Sequence, residues 1–168
     1  MGKFSVAVVA FLTSLVSTSM AKDFNYISSF STSDNIEISG VETAAEIVAA
    51  SEDGQMLIYS DSPMFAVGMI DISDSSEPKP LGFIQLGGEP TSVSVKNGLA
   101  YVGINTSENY VNPTGKLVVI DLETKEVVRE TDLGGQPDSV AVAPDGSFVA
   151  VAIENERNED INDEQIPQ

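Results

Sequence analysis

Leu86-Gly87-Gly88-Glu89-Pro90 and Leu133-Gly134-Gly135-Gln136-Pro137 are two copies of one signature, 47 residues apart, and each introduces the same strand-turn-strand pattern. After the first come Thr91 to Val95, a turn at Lys96-Asn97-Gly98, and the run Leu99 to Val102. After the second come Asp138 to Val142, a turn at Pro144-Asp145-Gly146, and Ser147 to Val151. A weaker copy lies upstream, with Glu46 to Ala50, then Glu52-Asp53-Gly54, then Met56 to Tyr59. Asn-Gly and Asp-Gly suit tight hairpins because Gly accepts positive φ and Asn or Asp tolerates it better than most residues. Each full unit also holds a third strand (Val67 to Asp71; Gly115 to Asp121) and a fourth (Gly82 to Leu86; Val127 to Thr131). Four short strands per unit, punctuated by Gly, Pro, Asp and Asn, describe an antiparallel meander. Strand-only units repeating at this period predict an all-β chain built as a β-propeller of four-stranded blades.

The unit boundaries expected from the repeat are 44–90, 91–137 and an incomplete 138–168, after a lead at 22–43. Both alternating faces of Val140 to Val142 and Phe148 to Ile153 are apolar or small. A sheet with one wet face alternates apolar with polar, so this pattern fits a blade packed between neighbours. A closed ring of four blades needs about 180 residues at this period. The chain therefore reads as the N-terminal fragment of a longer propeller, about two and a half blades long, whose natural partner is the rest of the ring. Within the lead, Phe24 to Phe30 is the segment expected to supply a ring-closing outer strand.

Residues 1–21 read as a secretory signal peptide, with Lys3, an apolar run from Phe4 to Val16, and Ser19-Met20-Ala21 ahead of the cleavage point. That run is short for a membrane span. The expected location is outside the cytoplasm, extracellular or periplasmic, with no stable membrane insertion after cleavage. The sequence has no cysteine, histidine or tryptophan. Disulfides, thiolate or histidine metal sites and His-dependent triads are thereby excluded within these residues. A net charge of -18 repels nucleic acid and attracts hard cations.

Several stretches resemble known exported propellers. The Pro-Asp-Gly hairpin with its preceding Gly-Gly-x-Pro resembles the YVTN-type repeat. Ala45 to Ala49, Pro90 to Val93, Lys96 to Ala100 and Gln136 to Val140 resemble the choice-of-anchor I group, whose members are often labelled alkaline phosphatase-like. Ala152 to Asp160 resembles the exported esterase-like phytase propellers. The resemblance implies an exported or surface-associated propeller. It implies no nucleophile here, because the histidines that hold zinc in alkaline phosphatases are absent and Asp138-Ser139 is explained by the repeat.

In an antiparallel blade the loops between strands two and three, and between successive blades, share one face. That face collects Gly87 to Pro90, Asn105 to Thr114, Gly134 to Pro137 and the acidic segment from Glu154 onward. Binding residues concentrate on loops held by a rigid scaffold, which makes this the expected ligand face for a protein, glycan or surface component. Glu154, Glu156, Asp160 and Asp163 are the candidate ligands of a Ca²⁺ ion, although their spacing is not that of an EF-hand. Asn105-Thr106-Ser107 is the only N-glycosylation acceptor sequence. The expected function is a non-enzymatic binding or scaffold module. The alternatives are a calcium-dependent phosphoester hydrolase of propeller type and a structural segment of a larger surface protein.

Overall fold

The computed structural model describes residues 25–36 and 40–156. The expected signal peptide, Phe24, Asp160 and Asp163 lie outside them. The first blade consists of β1 (Ala45–Ala50), β2 (Met56–Asp61), β3 (Ala66–Asp71) and β4 (Lys79–Gln85), and the second of β5 (Glu89–Lys96), β6 (Leu99–Asn105), β7 (Gly115–Asp121) and β8 (Glu126–Asp132). Each is an antiparallel sheet with its strands in chain order. A third unit is present as the hairpin of β9 (Pro137–Val142) and β10 (Val149–Ile153). The registers repeat as the sequence does, with Met56 opposite Asp71 in the first blade and Leu99 opposite Asp121 in the second. The inner strands β5 and β9 start at Glu89 and Pro137, just ahead of the unit boundaries drawn from the repeat.

Val and Ile dominate the middle strands because β-branched side chains fill a pleated surface well. Ile58, Val67 and Met69 from the first blade meet Val93, Ala100, Val102, Ile104, Val118 and Ile120 from the second in one buried cluster. Full burial of each large apolar side chain here contributes about 1.5–3 kcal/mol. With both blades contributing, the core lies between sheets.

The repeated signature is the joint between blades. Leu86 N–H donates to the Phe65 carbonyl and Leu133 N–H to the Gly115 carbonyl, which anchors each joint to the start of its blade's third strand. The first glycine of each pair, Gly87 (φ 68) or Gly134 (φ 66), turns the chain in the left-handed region that favours glycine. The second passes close to the following unit's own second strand. A Cβ on Gly88 would lie 2.7 Å from the Asn105 carbonyl oxygen, and one on Gly135 2.7 Å from the Ile153 methyl. Pro90 and Pro137 then enter the inner strands fully buried, at strand starts where a missing N–H is tolerated.

Polar groups also link one blade to the next. Thr91 Oγ1 donates to the Pro137 carbonyl at 2.7 Å, and Val140 N–H donates to Ser92 Oγ at 3.0 Å in a buried setting. Ser92→Ala strands that N–H in the interior, with an expected cost of about 1–3 kcal/mol. Urea denaturation followed by circular dichroism measures it. An unchanged midpoint would show that the inter-blade bond contributes nothing net.

Asn25 to Ser31 form no strand, so among the described residues the expected outer strand is not found there. The lead instead crosses the side of the first blade that faces away from the second, and ends in a 3-10 turn, Thr32–Asn35. Ser28 Oγ donates to the Ser75 carbonyl at 2.7 Å. Asn35 is buried and donates from Nδ2 to Tyr59 Oη (2.8 Å) and the Met69 carbonyl (3.1 Å), while its Oδ1 accepts from Gly82 N–H (3.1 Å). One amide side chain thus joins the lead to β2, β3 and β4.

Candidate binding faces

Two loop faces emerge, and their carboxylates do different things. The turn face holds the β1–β2, β3–β4, β5–β6, β7–β8 and β9–β10 connections. A cleft of about 640 Å³ opens on it between the first two blades, floored by Met56, Leu81, Val95 and Leu122 and rimmed by Glu52, Asp53, Asp71, Asp121 and Glu123. This is the face opposite the one the sequence favoured. Its aspartates, however, are occupied by their own turns, while the Glu123 side chain accepts no bond from any described residue. Asp53 accepts from Ser51 Oγ and Gln55 N–H, Asp71 from Ser73 N–H, Asp121 from Glu123 and Thr124 N–H, and Asp145 from Ser147 Oγ and N–H. These donors favour the ionised form and hold all four carboxyls below the usual carboxylate range.

Glu52 is spent as well. Its carboxylate takes Lys96 Nζ at 2.6 Å on one oxygen and Asn97 N–H at 2.6 Å on the other, tying the first blade's turn to the second's. The Lys96 hydrogen bond is the largest cause of its lowered pKa, and the Asn97 backbone bond follows. A carboxyl lowered by folding stabilises the fold fully above its ordinary value and loses that contribution as pH falls through the lowered value. Glu52→Gln is therefore expected to lower the melting temperature at neutral pH, with the gap to the parent closing below pH about 4. Because the pair is exposed, high salt should narrow the same gap. Thermal melts across pH and ionic strength check both; a constant gap at every pH would remove the ion pair from the account.

On the long-loop face five carboxylates are available, while Asp61 accepts from Ala44 N–H, Glu46 from Ser62 Oγ and Asp132 from Gly134 N–H. The side chains of Glu89, Glu108, Asp138, Glu154 and Glu156 accept no hydrogen bond from any described residue, and the last four are exposed. The scaffold beneath them is bonded in detail. Gln136, buried within its Gly-Gly-x-Pro signature, receives Glu154 N–H on its carbonyl (3.0 Å) and Glu156 N–H on Oε1 (3.4 Å). Its own N–H donates to Asn155 Oδ1 at 3.1 Å. The β6–β7 loop is cross-tied by Thr106 and Thr114, whose hydroxyls lie 2.9 Å apart, and by Ser107 Oγ donating to the Thr114 carbonyl (3.1 Å). Its tip exposes Tyr110 and Val111.

Of the four calcium ligands expected from sequence, Glu154 and Glu156 stand exposed at the edge of this face, and Asp160 and Asp163 fall outside the described residues. Among the described residues no three acidic side chains are gathered closely enough to hold a metal ion. The positioning role of Gln136 was not anticipated. Its only signal was that the variable position of the signature carries Glu in one copy and Gln in the other.

Four-stranded antiparallel blades stacked face to face, joined by a repeated Gly-Gly-x-Pro, define a β-propeller architecture. The chain belongs to the choice-of-anchor I domain family, whose model matches residues 46–168. Among solved structures it is similar to hydrazine synthase of Kuenenia stuttgartiensis, with 22% identity and a TM-score of 0.55, covering 65% of this chain and 29% of that one. It is also similar to a functionally unknown protein from Desulfotomaculum acetoxidans DSM 771, with 9% identity and a TM-score of 0.50, covering 62% of this chain and 31% of that one. At these identities the likeness concerns the fold alone, and the chain spans about a third or less of either structure. No curated protein matches the sequence. Among the described residues no helix is long and apolar enough to cross a membrane.

Proposed function

We propose that the chain acts outside the cytoplasm as a non-enzymatic binding or scaffold module, engaging its ligand through the long-loop face. The observation that carries this is the division of labour between the faces. The aspartates lining the turn face cap their own turns and Glu52 there holds Lys96, whereas Glu108, Glu154 and Glu156 on the long-loop face accept no bond from any described residue, the last two on a segment bonded to Gln136. Free carboxylates on a face that also exposes Tyr110 and Val111 suit a ligand with cationic or hydroxyl groups and some apolar surface, such as a basic peptide or a glycan. Export rests on the signal-like residues 1–21 and on membership of the family.

The test is a screen of basic peptides and glycans against the parent chain and two variants. Glu154→Gln with Glu156→Gln is expected to weaken a captured ligand about tenfold, a loss of some 1.4 kcal/mol. Asp121→Asn on the turn face should leave affinity unchanged. The reverse pattern would move the binding site to the turn-face cleft. Calcium provides a second readout. If Asp160 and Asp163 join Glu154 and Glu156 around an ion, calcium raises the melting temperature with its saturation, and Asp160→Asn abolishes the rise. An unchanged melt leaves the segment as a solvated acidic loop.

A further inference from the structure

The turn-face cleft has the size of a small-molecule site, about 640 Å³ against the roughly 300–1,000 Å³ common for such sites. Its walls are the first and second blades, both four-stranded and fully described. Asp71 and Asp121 are equivalent residues of the two walls, each closing its blade's third strand. Two lysines tie the walls together. Lys96 reaches from the end of β5 to Glu52 in the β1–β2 turn, and Lys125 Nζ, in the β7–β8 turn, donates to the Leu81 carbonyl of β4 at 3.0 Å. Both ammonium groups are thereby engaged, and the spacing of the walls is set before any ligand arrives.

Floor and rim differ in chemistry. Met56, Leu81 and Val95 are partly buried and Leu122 is buried, so the floor is an apolar strip that solvent still reaches. Around it stand Asp53, Asp71, Asp121 and Glu123, none of which forms an ion pair with a described residue. No lysine or arginine is among the described residues lining the cleft. Turn N–H groups reach Asp53, Asp71 and Asp121 at Oδ1, which leaves each Oδ2 without an N–H donor among the described residues. The same bonds fix the side chains and keep them ionised. The acids do not converge on a point, since among the described residues no three are gathered closely enough to hold a metal ion. Negative charge spread around an apolar floor complements positive charges that are likewise separated and are joined by methylene groups.

We propose that the cleft binds an aliphatic diamine or polyamine, its ammonium groups on Asp71, Asp121 and Glu123 and its methylene chain along Met56, Leu81, Val95 and Leu122. This site is distinct from the long-loop face and does not rest on the reading of that face. Hydrogen bonds from ammonium to carboxylate are charge-assisted and orient the ligand. The floor supplies a dependence on chain length, because each further methylene taken fully out of water is worth about fourfold in affinity. A bound polyamine touches both blades, so it stabilises the joint between them in proportion to its saturation.

Isothermal titration calorimetry of the full chain with spermidine is expected to show saturable binding, and 1,8-diaminooctane should bind at least about tenfold more tightly than 1,4-diaminobutane. Asp71→Asn combined with Asp121→Asn should weaken spermidine at least about tenfold. Asn keeps the Oδ1 acceptor that each turn uses and loses only the charge. Glu154→Gln with Glu156→Gln should leave spermidine binding unchanged, so this site and the long-loop site succeed or fail separately. Magnesium chloride should displace spermidine no better than sodium chloride of the same ionic strength. Absence of saturable binding overturns the proposal. Equal affinity for the two diamines, preferential displacement by magnesium, or equal spermidine affinity of the parent and the Asp71→Asn, Asp121→Asn protein overturns it as well, reducing the cleft to a surface that attracts counter-ions diffusely.

Discussion

Gly115→Ala is expected to destabilise the protein by about 3 kcal/mol or more, the upper end for overpacking a core. A Cβ at this position would stand 2.2 Å from Pro137 Cδ, 2.5 Å from the Gly135 carbonyl oxygen and 2.9 Å from the Ile104 carbonyl oxygen. Two of those neighbours are backbone, and the third is a ring held fully buried at the start of β9. None can move aside as the end of a flexible side chain would. The joint between the second blade and the third unit must open, and the Leu133 N–H bond to the Gly115 carbonyl goes with it. Urea denaturation monitored by circular dichroism measures the loss, with Glu126→Ala, on the exposed strand β8, expected within about 0.5 kcal/mol of the parent. Equal midpoints for the two variants would mean that Pro137 does not pack on Gly115 in solution.

Asn35→Leu is the second large effect, with an expected loss of about 3 kcal/mol. The substitution removes three hydrogen bonds and leaves Gly82 N–H and the Tyr59 hydroxyl without their partner. Burial pushes the Tyr59 hydroxyl's pKa up, so ionisation offers it no escape near neutral pH. Tyr59 has little room to move, because its ring lies over Gly68, where a Cβ would be 2.1 Å from the ring. Limited proteolysis should show the lead released in Asn35→Leu and retained in the parent. Tyr59→Phe removes only one of the three bonds and should cost about 1 kcal/mol. If Asn35→Leu matches Tyr59→Phe in both stability and protection, the lead is held by apolar contact rather than by the amide.

What could be read in the residues and what could not separate along the range of the interactions. The strands were legible because each is a local pattern. Asn97-Gly98 and Asp145-Gly146 mark the hairpins by backbone preference, and the β-branched runs at Val93, Val102 and Val118 mark the strands between them. The blade joint was legible because it recurs, and recurrence converts a tertiary packing need into a sequence motif. The two glycines perform one task in both copies, a left-handed turn and then a close pass over the neighbouring strand. The availability of carboxylates was not legible. Asp121 and Glu154 are the same kind of residue in sequence, yet one is occupied by donors of its own turn and the other is free on the rim. The lead shows the same limit. Nothing around Asn35 repeats, and its partners at Tyr59, Met69 and Gly82 are 24 to 47 residues away. Strand identity, hairpin turns and the blade repeat were determined by the sequence alone, because near neighbours and periodicity carry them. That Glu52 is tied to the second blade and that Asn35 fastens the lead to the first were decided by the tertiary structure, because each depends on groups that meet only once the chain is folded.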